Sequence, residues 1–123
     1  MKKFFKGFVY AFRGIWLASR GRNMRVQCLI ALLATFAGVL FQITRLEWIA
    51  LLFCFALVLF AEGFNTALEY VINLIRDECG APYENENLGK AKDIAAGAVL
   101  ITAVFAAIIG GIVFLPRFLS FLG

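Results

Sequence analysis

Residues 48–75 read WIALLFCFALVLFAEGFNTALEYVINLI, an apolar stretch interrupted by Glu62, Asn65, Glu69 and Asn73. Its length exceeds the roughly 20 residues that a helix needs to cross a bilayer. The four polar residues are three, four and four positions apart, so they lie on one stripe of a helix. Carboxylates inside a membrane span are costly and must face other helices, partners or water. The stretch therefore predicts a membrane-spanning helix with one polar working face.

The composition extends this prediction to the whole chain, which we treat as one membrane domain, 1–123. Of the 123 residues, 63% are hydrophobic and 16% are charged, and a soluble domain of this size cannot bury that much apolar surface. The chain contains no His, which removes the commonest general base and metal ligand of proteins. Any chemistry must therefore rest on carboxylates, amides, Lys and Arg.

Two further apolar stretches, 26–43 and 94–115, approach or exceed the length that crosses a bilayer. We expect a tight turn at 44–47, and we expect Pro116 to end the third stretch. Residues 1–22 carry their apolar side chains on one helical stripe with the Lys residues largely off it, which is typical of a helix in the membrane interface. The predicted fold class is an all-α membrane protein with an N-terminal amphipathic surface helix plus three transmembrane helices.

The distribution of Lys and Arg predicts how the chain is oriented. Ten of the 12 lie before the first span or between the second and third, and Arg45 and Arg117 are the exceptions. The positive-inside rule then places the N-terminus and the 76–92 loop in the cytoplasm. The net charge of +4 fits anionic lipid headgroups better than nucleic acid, because the cations cluster beside the apolar spans.

Small residues along the third span predict close packing between helices, because they let two backbones approach where lipid offers no hydrophobic driving force. These residues are Ala95, Ala96, Gly97, Ala103, Ala106, Ala107, Gly110 and Gly111. Three helices alone form a thin bundle, so we expect a homo-oligomer.

Two reactions suit two acids on one face of an apolar helix. A buried Glu62 could carry protons in a small exporter. Alternatively, Glu62 takes the proton from a lipid hydroxyl while Glu69, nearer the aqueous boundary, holds a divalent cation on a nucleotide phosphate. A purely structural polar stripe is a third interpretation. Lys92 and Asp93 favour the nucleotide site, since Lys meets phosphate oxygens and Asp can orient a ribose or amine.

Four segments resemble the bacterial diacylglycerol kinase/undecaprenol kinase family. They are EGFNTALE at 62–69, AKDIAAGAV at 91–99, FRG at 12–14 and RNMR at 22–25. The first carries the signature E-x-x-N-(S/T)-A-x-E, and the resemblance covers nearly the whole chain. It implies a homotrimer of three-span subunits in the bacterial inner membrane. It also implies transfer of the γ-phosphoryl group of Mg-ATP to a membrane lipid alcohol at the cytoplasmic face, without a P-loop.

The resemblance also implies roles for individual residues. Glu62 matches the catalytic base, Asn65 its neighbour, and Glu69 a carboxylate ligand of the nucleotide-bound Mg²⁺. The remaining matches are nucleotide contacts, namely Lys92, Asp93, Tyr10 at the adenosine, Lys3 near the phosphates and Glu78 as a loop acid.

The sequence departs from the family pattern at three places. The stretch SRGRNMR at 19–25 has Gly or Arg where a second metal-binding Glu belongs, and it is one residue short. Asn73 stands where the family has Asp, and the 76–91 loop is several residues longer than usual. Losing one carboxylate ligand should weaken Mg²⁺ binding without excluding activity, because water and ATP phosphates can complete the coordination shell.

Compensation for the missing Glu has two candidate sources. Either Glu84 or Glu86 of the longer loop supplies the ligand, or Arg20 and Arg22 meet the phosphate charge directly. The sequence therefore predicts an ATP-dependent lipid kinase first. A catalytically impaired or redirected family member that binds lipid or nucleotide is the second interpretation, and a small proton-coupled transporter is the third. The lipid acceptor, diacylglycerol or undecaprenol, stays open.

Overall fold

The chain folds into four helices. The computed structural model describes all 123 residues, with α1 at Lys2–Ser19, α2 at Arg22–Leu40, α3 at Arg45–Asp77 and α4 at Glu86–Leu122. Helices α2, α3 and α4 are each long and apolar enough to cross a membrane. The predicted all-helical architecture with three apolar spans is therefore confirmed.

Helix α1 is shorter than the predicted 1–22 segment. The Ser19 hydroxyl donates to the carbonyl oxygen of Trp16 at 2.6 Å in its last turn, and Gly21 already caps the start of α2. The helix has no buried residue, so its aromatic side chains are not covered by the rest of the chain. Its place in the membrane interface stays a prediction.

The connection between α2 and α3 differs from the expected tight turn at 44–47. Helix α2 ends at Leu40, and Gln42 reverses the chain with φ of 50°. The Thr44 hydroxyl accepts from the Glu47 backbone N–H at 3.3 Å, and Glu47 Oε1 accepts from the Thr44 N–H at 3.0 Å. This reciprocal pair is a capping box that starts a helix. The turn prediction was therefore wrong, because Glu47 belongs to the first turn of α3.

An ion pair joins the start of α3 to the end of α4. Arg117 Nη1 and Nη2 donate to Glu47 Oε2 and Oε1, both at 2.6 Å, and the two side chains are only 30% and 22% exposed. Ile43, Leu51 and Val113 form a small buried cluster at the same end. Helix α3 packs more extensively on α4 than on α2, so α3 and α4 form a long antiparallel hairpin. The ion pair and the buried cluster anchor the hairpin at this end.

Pro116 does not end α4, the third apolar span, contrary to expectation. Helix α4 continues to Leu122, although Pro116 has no N–H to donate to the preceding turn. The Arg117 side chain donates to the carbonyl oxygen of Val113 at 2.8 Å while it pairs with Glu47. Membrane helices tolerate Pro where neighbouring helices support the chain, and the pair with Glu47 ties the segment after Pro116 to α3. The bond to Val113 does not replace the lost one, because an N–H at position 116 would have donated to the carbonyl oxygen of Ile112. The sequence pattern of one helix contains no sign of that second helix.

The three spans differ greatly in length. Helix α2 has 19 residues, which is about 28 Å at 1.5 Å per residue. Helices α3 and α4 have 33 and 37 residues, or about 50 and 55 Å. Since the hydrocarbon core is roughly 30 Å thick, the ends of α3 and α4 extend well beyond it. The polar half of α3 can therefore reach from hydrocarbon into water.

We predict that Gly38→Ala destabilises the bundle. A Cβ at Gly38 would lie 2.7 and 2.9 Å from two ring carbons of Trp48, and such overpacking typically costs about 1–3 kcal/mol. Unfolding in detergent micelles measures the loss. Gly7→Ala is the matched control, because a Cβ there has nothing within 4 Å and Gly7 is not among the small residues of the third span. Equal stability of the two variants would contradict the packing described here.

We predict that Arg117→Gln lowers the thermal midpoint of unfolding by several degrees. The change removes two short charge-assisted hydrogen bonds and leaves Glu47 without its partner. Lys90→Gln is the control, since it breaks a 3.3 Å ion pair with Glu86 whose side chains are 63% and 82% exposed, and such surface pairs contribute little. Similar midpoints for both variants would argue against an anchoring role.

Candidate active site

The polar stripe of α3 continues the face by which this helix packs into the chain. The buried residues of α3 are Leu51, Cys54, Val58, Glu62 and Ile72. Asn65, Glu69 and Asn73 follow Glu62 at three- and four-residue spacing, so they lie on the same face. That face is apolar near Arg45 and polar toward Asp77.

Glu62 is the only charged residue that the fold buries, with 4% of its surface exposed. The side chain of Asn23, in the first turn of α2, lies near the Glu62 carboxylate. The approach of α2 is close here, because a Cβ at Gly63 would lie 3.9 Å from Met24 Cε. Burying a carboxylate without polar company is very costly, so the start of α2 supplies a partner for the acid of α3.

Asn65 lies on the stripe between the two acids and bonds to the exposed one. Its Nδ2 donates to Glu69 Oε1 at 3.4 Å, a long bond that nonetheless turns the Glu69 carboxylate toward Asn65. Glu69 and Asn73 are both exposed. Since Glu69 lies seven residues beyond Glu62, the two acids are about 10 Å apart along the helix. One acid is therefore shielded within the bundle, and the other meets the solvent or a ligand.

Lys92 and Asp93 lie at the level of the stripe without touching it. Ala91 and Ala95 of α4 line a groove together with Asn65, so the intervening residues are at the same height along the hairpin. Lys92 and Asp93 are exposed, and neither forms an ion pair or a side-chain hydrogen bond with α3. Within one chain, the structure places Glu62, Asn65 and Glu69 on one helix face, with a bond between the last two, and leaves the two α4 residues apart from them.

The other predicted nucleotide contacts are also separate from the stripe. Lys3 and Tyr10 lie on α1, and Tyr10 is 66% exposed. Glu78 is the exposed residue that directly follows α3. None of the three forms a side-chain hydrogen bond with Glu62 or Glu69. Their assigned roles stay predictions.

The donor set fits a nucleotide-borne cation better than a resident one. No three acidic or Cys side chains meet in a metal-binding cluster. The Glu69 carboxylate and the side-chain oxygen of Asn65 are adjacent oxygen donors, and Mg²⁺ on nucleotide phosphates commonly takes only one or two carboxylates from the protein. Of the candidates to replace the missing Glu, Glu86 is paired with Lys90, and Arg20 stacks 5.1 Å from the Trp16 ring.

An apolar groove of about 570 Å³ runs between α3 and α4 beside this site. Asn65 and Thr102 are the polar residues in its lining, and Phe60, Phe64 and Ile94 contribute much of its apolar wall.

Two residues of this arrangement were not anticipated from the sequence. Asn23 faces Glu62, and Arg117 anchors the hairpin. The RNMR segment at 22–25 belongs to the family pattern, which was the available signal for Asn23. No spacing within one helix could have revealed which residue of α2 meets α3.

Comparison with known proteins agrees with the family resemblance. The family model for prokaryotic diacylglycerol kinase matches residues 9–114. The chain is 37% identical over 119 residues to the undecaprenol kinase of Bacillus subtilis, covering 95% of this chain and 92% of that protein. It is also 37% identical over 114 residues to the diacylglycerol kinase of Synechocystis sp., covering 92% of this chain and 63% of that protein. The chain therefore belongs to the prokaryotic diacylglycerol kinase family of membrane lipid kinases.

Proposed function

We propose that this protein transfers the γ-phosphoryl group of Mg-ATP to a membrane lipid alcohol, diacylglycerol or undecaprenol, at the cytoplasmic face of the bacterial inner membrane. The observation that carries the proposal is a buried acid, Glu62, and an exposed acid, Glu69, on one face of an apolar helix. One acid suits a lipid hydroxyl, and the other suits a water-soluble nucleotide. The kinase names of the two relatives support phosphoryl transfer as the reaction.

Glu62 is the general base in this proposal. Its carboxylate accepts the proton of the lipid hydroxyl as that oxygen attacks the γ-phosphorus and the bond to the leaving ADP oxygen breaks. Asn23 lies near this carboxylate, and in the proposed complex Asn65 stands between the base and the phosphates. Phosphoryl transfer depends mainly on position and charge neutralisation, so a fixed base on a rigid helix is well suited to it.

Glu69, oriented by Asn65, binds the nucleotide through its Mg²⁺. A divalent cation held there would supply neutralisation of the phosphate charge. The further nucleotide contacts that we propose are Lys3, Tyr10, Glu78, Lys92 and Asp93. The ammonium groups of Lys3 and Lys92 meet phosphate oxygens, while Tyr10 offers a ring surface to the adenosine.

A homotrimer would bring these groups together. Only 9 of the 123 residues are buried in the single chain, which leaves most of the apolar and small-residue surface of α4 available to other copies. Lys92 and Asp93 are exposed and unpaired, so the α4 of a neighbouring copy can present them to Glu69. The Lys and Arg distribution supports a cytoplasmic N-terminus.

One observation favours a second candidate, an impaired or redirected family member that binds nucleotide or lipid without efficient transfer. The family resemblance leads us to expect a second metal-binding Glu within 19–25, where this chain has no acid, and no other acid joins Glu69 to form a cluster. The proposed kinase must therefore work with a weaker metal site.

A radiolabelled-ATP assay in mixed micelles tests the proposed function. We predict that the full chain labels diacylglycerol or undecaprenol, and that omitting Mg²⁺ abolishes labelling because the phosphate charge is then not neutralised. ATP binding without labelling of either lipid, over a range of Mg²⁺ concentrations, would support the impaired member and overturn the kinase.

Substitutions of the two acids should impair different steps of the reaction. We predict that Glu62→Gln lowers kcat roughly 10²- to 10⁴-fold, because the base is lost, while ATP binding is kept. Glu69→Gln should instead raise the Mg²⁺ concentration needed for half-maximal rate. Tyr70→Phe is the matched control on the same helix, since Tyr70 is 66% exposed and off the stripe. If proton-coupled efflux rather than labelling is lost in Glu62→Gln, the protein is a transporter.

A further inference from the structure

The loop that follows α3 folds back on the end of that helix. Gly80 adopts φ of 73°, and the Ala81 N–H donates to the carbonyl oxygen of Ile75 at 3.2 Å. The Asn85 N–H then donates to the carbonyl oxygen of Pro82 at 3.0 Å, and the Asn85 side chain caps α4 by accepting from the Leu88 N–H. The loop is therefore held at both ends by hydrogen bonds.

This loop fixes the guanidinium of Arg76. The group lies 5.3 Å from the centre of the Tyr83 ring, and Nη2 donates to the carbonyl oxygen of Tyr83 at 3.3 Å. The Tyr83 hydroxyl donates to Asp77 Oδ1 at 3.1 Å, which ties the ring to the helix end. One face of the guanidinium is thus covered, and its orientation is set.

Arg76 keeps hydrogen-bond donors that no group of the chain uses. Its Nε is buried without an acceptor, and its Nη1 donates to no residue. It forms no ion pair either, because the two ion pairs of the chain are Glu47–Arg117 and Glu86–Lys90. Buried donors without acceptors are rare and unfavourable. A partly buried, unpaired cation that is held in place is suited to an anionic ligand.

The position of Arg76 places it at the end of the polar stripe. It follows Asn73 by three residues and Glu69 by seven, so it lies on the same face, about 10 Å beyond Glu69. The stripe is otherwise acidic or neutral. A phosphate that approaches Glu62 and Glu69 from the water therefore meets Arg76 on the way.

We propose that Arg76, held by Tyr83, is a binding residue for phosphate oxygens at the aqueous end of the site. Since Nε is buried and Nη2 donates to Tyr83, Nη1 and the second N–H of Nη2 are the donors available to a ligand, and they lie in one plane as phosphate recognition by arginine requires. The inference rests on the proposed function for the source of the phosphate, which is either the polyphosphate of the nucleotide or the phosphate of the lipid product. Both sources offer the same oxygen atoms.

Binding measurements on the full chain in mixed micelles test this residue. The probes are ATP, inorganic tripolyphosphate, phosphatidic acid and, as a neutral lipid, diacylglycerol. We expect Arg76→Gln to weaken binding of a phosphate-bearing probe roughly 10- to 100-fold, since hydrogen bonds to charged groups are among the strong ones, and to leave diacylglycerol unchanged. Loss with ATP and tripolyphosphate assigns Arg76 to the nucleotide, and loss with phosphatidic acid assigns it to the lipid product.

Two further variants separate orientation from charge. Tyr83→Leu removes the stacked ring and keeps the cation, so it should weaken the same probe by a smaller factor. Lys90→Gln removes a cation from the same side of the bundle and should change no dissociation constant by more than about twofold, because an exposed charge is screened by salt. Equal losses in Lys90→Gln and Arg76→Gln would overturn the inference, as would unchanged binding of every phosphate probe in Arg76→Gln.

The labelling assay distinguishes failure of this inference from failure of the proposed function. An unmodified chain that phosphorylates lipid, combined with unchanged phosphate binding in Arg76→Gln, overturns the inference alone. An unmodified chain that transfers no phosphoryl group, combined with the expected loss in Arg76→Gln, overturns the kinase and keeps the phosphate site.

Discussion

A carboxylate buried in an apolar helix is the constraint on which the rest of the arrangement depends. Glu62 cannot be left in hydrocarbon without polar neighbours, and its position toward the Asp77 end of α3 requires another helix to begin beside it. Helix α2 meets this need by starting at Arg22 and presenting Asn23 to the acid. The break between α1 and α2 is therefore part of the site, because it sets where the first turn of α2 lies.

The opposite end of the α3–α4 hairpin carries the interaction that fixes its register. The Glu47–Arg117 pair joins the first turn of α3 to the last part of α4, and two helices tied at one end cannot slide past each other freely. The height at which Lys92 and Asp93 stand relative to Glu69 is thus determined partly by a contact many turns away. The chain separates the two tasks, with the anchor at one end and the polar stripe at the other.

Much of this structure was predictable from one sequence, and two of the features that were not share a cause. The three apolar helices follow from the lengths of their hydrophobic runs, and the polar stripe follows from the spacing of residues within α3. The continuation of α4 past Pro116 and the contact between Asn23 and Glu62 depend on two helices at once. Spacing along one helix carries no information about its neighbour. The capping box at Thr44 is different, since its pattern is local and was interpreted as a turn.

The negative charge of Glu62 and Glu69 explains why a phosphate site on this stripe would also need cations. In the proposed kinase, two carboxylates on one face would repel the phosphates of a nucleotide unless a cation stood between them or cations surrounded them. No other Asp or Glu of the chain joins Glu69 in a cluster that could hold such a cation. A stripe with fewer ligands for a cation depends more on Lys and Arg to hold phosphate. The loop after α3 orients Arg76 on the same face through Tyr83. It therefore places a cation where the proposed site would need one.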